Sequence, residues 1–122
     1  MPINQIVLVG HCSFDTGSLY SFIQQSTDTP IKSANNDQDI QEIATPDSLL
    51  LVNRVLPGSF NTDSGIELIK QLSQSDSPPR MILISDLSEA QQLAEDAGAL
   101  PGFGKGQLND EFASDRFTTA LQ

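Results

Sequence analysis

Residues 48–65 read SLLLVNRVLPGSFNTDSG, and this stretch decides the fold. Leu49, Leu50, Leu51 and Val52 form an unbroken apolar run, too short for a buried helix and ending in a turn. A run of this kind marks a central strand of a parallel sheet that is covered on both faces. Asn53 follows at the strand's carboxyl end, then Leu56-Pro57-Gly58, a polar loop, and a helix opening at Gly65. In open α/β sheets, chemistry gathers in the crevice beyond the carboxyl ends of the central strands. Asn53 stands where a functional residue would be placed, and it is an amide rather than an acid.

The flanking sequence repeats the pattern. Ile6–Val9 (IVLV), stopped by Gly10-His11, reads as a first strand. After a turn through Ser13 and Asp15, Leu19, Phe22 and Ile23 recur at helical spacing up to about Gln25. Ile31–Ala34 reads as a more polar edge strand, and Asn36 or Asp37 can cap a second helix burying Ile40, Ile43 and Ala44. A third helix from Gly65 to Leu72 would bury Ile66, Ile69 and Leu72. Met81–Ile84 (MILI) is a further apolar strand ending at Ser85-Asp86. Ser88 with Gln91 forms a capping-box pattern for a fourth helix burying Ala90, Leu93, Ala94 and Ala97, with Gly98 at its end. Leu100–Gly106 (LPGFGKG) is a strand weakened by three glycines. Asn109 can cap a last helix, with Asp110 and Glu111 in its first turn and Phe112, Ala113, Phe117, Ala120 and Leu121 on its inner face. Strands alternate with helices five times through short connections. The pattern predicts right-handed βαβ units and a three-layer, doubly wound α/β domain over residues 1–122.

Composition narrows the partners. The 122 residues carry 16 acids against 6 bases, a formal charge of −10, with a pI near 4.1. That field repels phosphate backbones and anionic membranes, so neither nucleic acid nor membrane is expected as a direct partner. The lone Cys12 rules out an internal disulfide and fits a reducing compartment. No apolar run reaches the roughly 20 residues of a membrane span. The N-terminus lacks a basic region before its apolar residues and reads as a strand, so a cytoplasmic location is expected.

The spacing resembles the receiver domain of two-component response regulators, across nearly the whole chain. In that family the first strand ends in two acids, and the third ends in a phosphate-accepting Asp with Pro-Gly commonly four and five residues later. The fourth ends in Thr or Ser, and the fifth carries a Lys usually followed by Pro. Here Pro57-Gly58 follow Asn53 at that spacing, Ser85 closes the fourth strand, and AGALPGFGK places Lys105 on the family's lysine. The resemblance implies a flavodoxin-like (βα)5 fold with strand order 2-1-3-4-5, and a role in a bacterial phosphorelay.

The departures fall on the chemistry. Gly10 and His11 occupy the acid-pair positions, Asn53 the phosphoacceptor, Gly102 the switch aromatic and Gly106 the proline. An aspartyl nucleophile needs an ionised carboxylate, which an amide does not supply. Mg²⁺ needs hard oxygen ligands, and Gly10 and His11 offer no carboxylate, so the metal site is expected to be absent or very weak. Without metal, only Lys105 would offset charge on a transferring phosphoryl group. The sequence is therefore read as a degenerate pseudo-receiver and not as an enzyme, with no cofactor.

The remaining site residues each carry a plainer reading beside the functional one. Asn53 either mimics an acylated Asp or bonds neighbouring loop backbone, and Ser85 either binds phosphate or bonds locally. Asp15 or Asp86 could replace a lost carboxylate, and Asp86 equally starts the turn and helps cap the fourth helix. Lys105 either binds an anion or pairs with Asp86 or Asp15. His11 and Cys12, adjacent in sequence, are too few for a metal site. The glycines around Lys105 lack the P-loop spacing. The leading expectation is a module acting through protein–protein contacts with a kinase, an output domain or another copy of itself. Its surface would be the fourth helix, fifth strand and fifth helix, including Glu89, Gln92, Glu95, Phe103, Asp115 and Arg116. The alternative is a small-molecule or anion sensor built on Asn53, Ser85 and Lys105.

Overall fold

A computed structural model describes residues 2–122. Five strands, β1 (Gln5–Val9), β2 (Ile31–Ala34), β3 (Ser48–Asn53), β4 (Arg80–Ile84) and β5 (Leu100–Phe103), form one parallel sheet in the order β2-β1-β3-β4-β5. They alternate with helices α1 (Ser13–Gln24), α2 (Asp37–Ile43), α3 (Gly65–Ser73), α4 (Ser88–Ala97) and α5 (Glu111–Leu121). The expected doubly wound (βα)5 architecture and its strand order are both present.

Successive strand side chains point to opposite faces, so a fully apolar strand feeds two cores at once. Val7, Val9, Leu50, Val52, Met81 and Leu83 pack under α2, α3 and α4 with Ile40, Leu68, Ile69 and Ala94. Ile6, Leu8, Leu49, Leu51, Ile82 and Ile84 pack under α1 and α5 with Leu19, Phe22, Phe103 and Phe117. Phe22 meets Phe103 and Phe117 with ring centroids 5.2 and 5.5 Å apart.

Several local expectations are corrected. Helix α1 begins at Ser13, so the turn expected through Ser13 and Asp15 is its first turn, capped by Cys12 Sγ accepting from Asp15 N at 3.5 Å. The Ser88–Gln91 capping box does not form: Ser88 is already helical, Leu87 precedes it without a side-chain cap, and Gln91 turns inward. Asn109 likewise does not cap α5, whose N-cap is Asp110. Leu93 and Phe112, read as inward-facing, are 56% and 43% exposed. Leu68 is buried in α3, where Ile66 and Leu72 are only partly so. Asn36 does cap α2, its Oδ1 accepting from Asp39 N at 2.7 Å.

Phe103 is the largest correction, because it is fully buried and no part of the outer surface. The β4–β5 register shifts between the pairs Ile82–Leu100 and Ile84–Phe103. One extra residue on β5 turns the phenyl ring into the sheet's α1/α5 side, and simple alternation cannot foresee such a bulge.

Candidate functional site at the carboxyl ends of the strands

Asn53 Oδ1, Lys105 Nζ and Asp15 meet in one chain of contacts. Lys105 Nζ donates to Asp15 Oδ2 at 2.6 Å and to Asn53 Oδ1 at 3.2 Å. Asn53 Nδ2 donates to the carbonyls of Gly10 at 2.9 Å and Val55 at 3.0 Å. The amide is thus fixed in orientation by two backbone acceptors, which a carboxylate could not satisfy. Asp15 reaches the crevice from the first turn of α1, where a helix N-terminus favours its charge. The Lys105 hydrogen bond holds its carboxyl below the usual range, partial burial working against it. Across 90 positions of sequence, an α1 carboxylate has become the lysine's counter-ion.

The β1 side of the crevice is closed by apolar groups. Gly10 has φ +75°, a left-handed conformation that favours glycine. A Cβ there would lie 2.6 Å from Leu56 Cδ2 and 3.5 Å from Phe60 Cε2. Phe60 belongs to the long β3–α3 loop and is buried beside Leu56. That loop is tied to the β2–α2 connection, with Ser59 Oγ donating to Asn35 O at 2.6 Å and Asn61 N donating to Asp37 Oδ2 at 2.7 Å. Gly65 lets α3 start against the carbonyl of Asn53, where any side chain would collide.

His11 is also buried. Its Nε2–H donates to Leu51 O at 2.9 Å, while Nδ1 is buried without a hydrogen-bond partner. Desolvation lowers its pKa from 6.5 to about 4, the Leu51 hydrogen bond opposing and the Lys105 charge assisting. At neutral pH the ring is uncharged and packed into the site wall.

The β4–β5 side is stitched by hydrogen bonds. Ser85 Oγ accepts from Leu87 N at 3.1 Å, a local turn contact. Asp86 does not cap α4, and with Asn53 and Lys105 it lines one open cleft. Its two carboxylate oxygens accept from Gly106 N at 3.2 and 3.4 Å, on the short 3-10 turn Lys105–Gln107. A Cβ on Gly104 would overlap the Asp86 carboxylate. The glycines around Lys105 therefore make room for Asp86, and a proline at 106 would remove the N–H it binds.

Magnesium, which the receiver resemblance implies, does not fit these residues. Gly10 offers no side-chain ligand and its carbonyl already accepts from Asn53 Nδ2, while His11 spends Nε2 on Leu51 O. Asn53 turns its Nδ2 toward Gly10 and Val55, and Asp15 is held by Lys105. Mg²⁺ demands near-octahedral oxygen ligation, usually with one or two free carboxylates. Among the described residues, no three His, Cys, Asp or Glu side chains cluster closely enough to hold a metal ion.

Gln91, Leu56 and Phe60 were missed as determinants of the site. The signal for them was indirect: Gly10 and Gly102 each leave room that a distant side chain fills.

The fold is that of response-regulator receiver domains. The chain is similar to a response regulator from Colwellia psychrerythraea, with TM-score 0.68 at 16% identity over 97% of each chain. It is similar to one from Chloroflexus aurantiacus, with TM-score 0.71 at 15% identity over 98% of each. It also resembles DrrB of Thermotoga maritima, an OmpR/PhoB homologue, with TM-score 0.62 at 18% identity, matching 84% of this chain and 44% of that one. No family model and no curated protein matches the sequence. Among the described residues, no helix is long and apolar enough to cross a membrane.

Proposed function

We propose that this chain is a non-catalytic receiver-fold module of a two-component type of signalling system, acting through protein–protein contacts without phosphorylation of its own. The observation that carries this reading is the Asp15–Lys105–Asn53 chain. In it the crevice lysine already has an internal carboxylate, and the residue at the acceptor position is an amide bound to backbone. An amide nitrogen or oxygen with both its lone-pair and N–H capacity engaged is no nucleophile for a phosphoryl group. No divalent cation is expected to be required, given the fit of the residues around Gly10.

A kinase, an output domain or a second copy is the kind of partner such a module meets, through the outer surface of α4, β5 and α5. Glu89, Gln92, Glu95 and Asp115 are exposed there, whereas Phe103 is not. The anion-sensor reading has less support, because an incoming anion must displace Asp15 from Lys105 at 2.6 Å. Thermal-shift screening against small anions separates the two readings. A rise in Tm that disappears in Lys105→Ala favours the sensor.

The phosphorylation claim is tested by incubating the purified chain with acetyl phosphate and Mg²⁺ and measuring intact mass. The expected result is an unmodified chain at all incubation times. A phosphoryl adduct that appears only with Mg²⁺ overturns the proposal.

A further inference from the structure

Gly102 has both of its backbone groups held by side chains from the two flanking helices. From α4, Gln91 Oε1 accepts from Gly102 N at 3.2 Å, while Nε2 donates to Leu83 O at 2.9 Å and Ser85 O at 3.0 Å. From α5, Arg116 Nη1 donates to Gly102 O at 2.8 Å. The Arg116 guanidinium also lies 4.2 Å above the Phe112 ring, so it is held from a second direction. Gln91 is only 9% exposed. A Cβ at position 102 would lie 2.8 Å from Gln91 Oε1 and closer still to Leu83 O, so the glycine and the inward glutamine require each other.

We infer that Gln91 and Arg116 form a two-sided clamp on Gly102, and that this clamp holds the α4–β5–α5 face in a single preformed arrangement. A switching element needs two arrangements of comparable free energy. Here any outward movement of α4 strips a buried amide and the carbonyls of Leu83 and Ser85 of their partners together, and unpaired buried polar groups are costly. Gly102 has no side chain that could exchange between inward and outward positions. The inference goes beyond the proposed function: it concerns the mobility of the outer face and stands whatever the crevice binds.

The test is ¹⁵N relaxation dispersion on the wild-type chain, joined to amide hydrogen exchange in wild type, Gln91→Leu and Arg116→Lys. The expected wild-type result is no millisecond exchange at Gly102, Phe103 or the first turn of α4. Gln91→Leu should speed exchange of the Gly102 amide about tenfold or more, while the Val7 and Leu50 amides stay slow and report an intact sheet. Arg116→Lys, which keeps the charge and loses the directed contact, should give a smaller acceleration at the same place. Dispersion at Gly102 and α4 in the wild type overturns the inference, as does unchanged Gly102 exchange in Gln91→Leu. Should Gln91→Leu fail to fold, the wild-type dispersion and Arg116→Lys decide. A phosphoryl adduct in the acetyl-phosphate experiment would leave these results untouched, so the two ideas fail separately.

Discussion

The two halves of the crevice engage their residues by opposite means. At the β1–β3 end, space that a receiver pattern gives to acids is filled by Leu56, Phe60 and a neutral, buried His11. At the β4–β5 end the groups stay polar, and Asp86, Gly106, Gln91 and Gly102 bind one another. One half is filled by packing; in the other the polar groups bond internally, while Asn53, Ser85, Asp86 and Lys105 still line an open cleft of about 310 Å³. Lys105 sits at the seam, turned toward Asp15 of α1. The lesson is that a site can keep its scaffold while Asn53, Lys105, Asp15 and Asp86 all acquire internal partners.

The comparison breaks most readily at the packed end. Gly10→Asp forces a side chain onto a left-handed backbone and against Leu56, so a loss of about 3 kcal/mol or more is expected in urea unfolding followed by circular dichroism. A cost below about 1 kcal/mol would mean that the Leu56–Phe60 plug yields easily and the β1 end is not closed by packing. His11 makes the same end pH-sensitive. Its folded pKa of about 4 lies below the unfolded value of 6.5. Above pH 6.5 both states are neutral and its contribution is fully present. As pH falls from 6.5 toward 4, the unfolded chain takes up a proton that the folded chain refuses, and stability drops. At about 1.4 kcal/mol per unit, that loss reaches about 3 kcal/mol and levels off below the folded pKa. The difference between wild type and His11→Gln over this window isolates the effect, and parallel curves for the two would place the imidazole in contact with water.

At the hydrogen-bonded end the effects are smaller. Gly106→Pro removes the N–H that Asp86 binds and should cost about 1–2 kcal/mol, with faster exchange at the amides of residues 104, 105 and 107. Asp15→Ala tests the seam. The pair is partly solvated, with side chains 31% and 26% exposed, so about 0.5–1 kcal/mol is expected, shrinking as salt is added. A far larger loss would mean that the ion pair, and not the packing on either side, holds α1 against the Lys105–Gln107 turn.

The sheet was legible because its signals are local. IVLV, LLLV and MILI are contiguous apolar runs, and each must be a strand buried on both faces whatever lies around it. The Asn36 cap was legible for the same reason, since acceptor and donor lie three residues apart. What stayed hidden depends on pairs far apart in sequence. Ser88 and Gln91 matched a capping box, yet Gln91 enters the core because Gly102, eleven residues on, leaves a space the amide fills. Asp86 suits the start of a turn, and only the path of the Lys105–Gln107 segment gives it two bonds to Gly106 N. Asp15 was one of two acids that could meet Lys105, and spacing alone did not choose between them. The fold brings α1's first turn to the lysine and holds Asp86 on the Gly106 N–H instead. The β-bulge that buries Phe103 left no mark in the sequence other than the glycines around it.

The most direct test that these residues do not fit a divalent cation is a Mn²⁺ titration of ¹⁵N-labelled Asn53→Asp, watching the amides of Gly10, His11 and residue 53 for paramagnetic broadening. With Leu56 against Gly10 and Asp15 on Lys105, the account predicts no site-specific broadening even at millimolar metal. Saturable broadening confined to those three amides would show that carboxylates already in the crevice complete a cation site, and would contradict it.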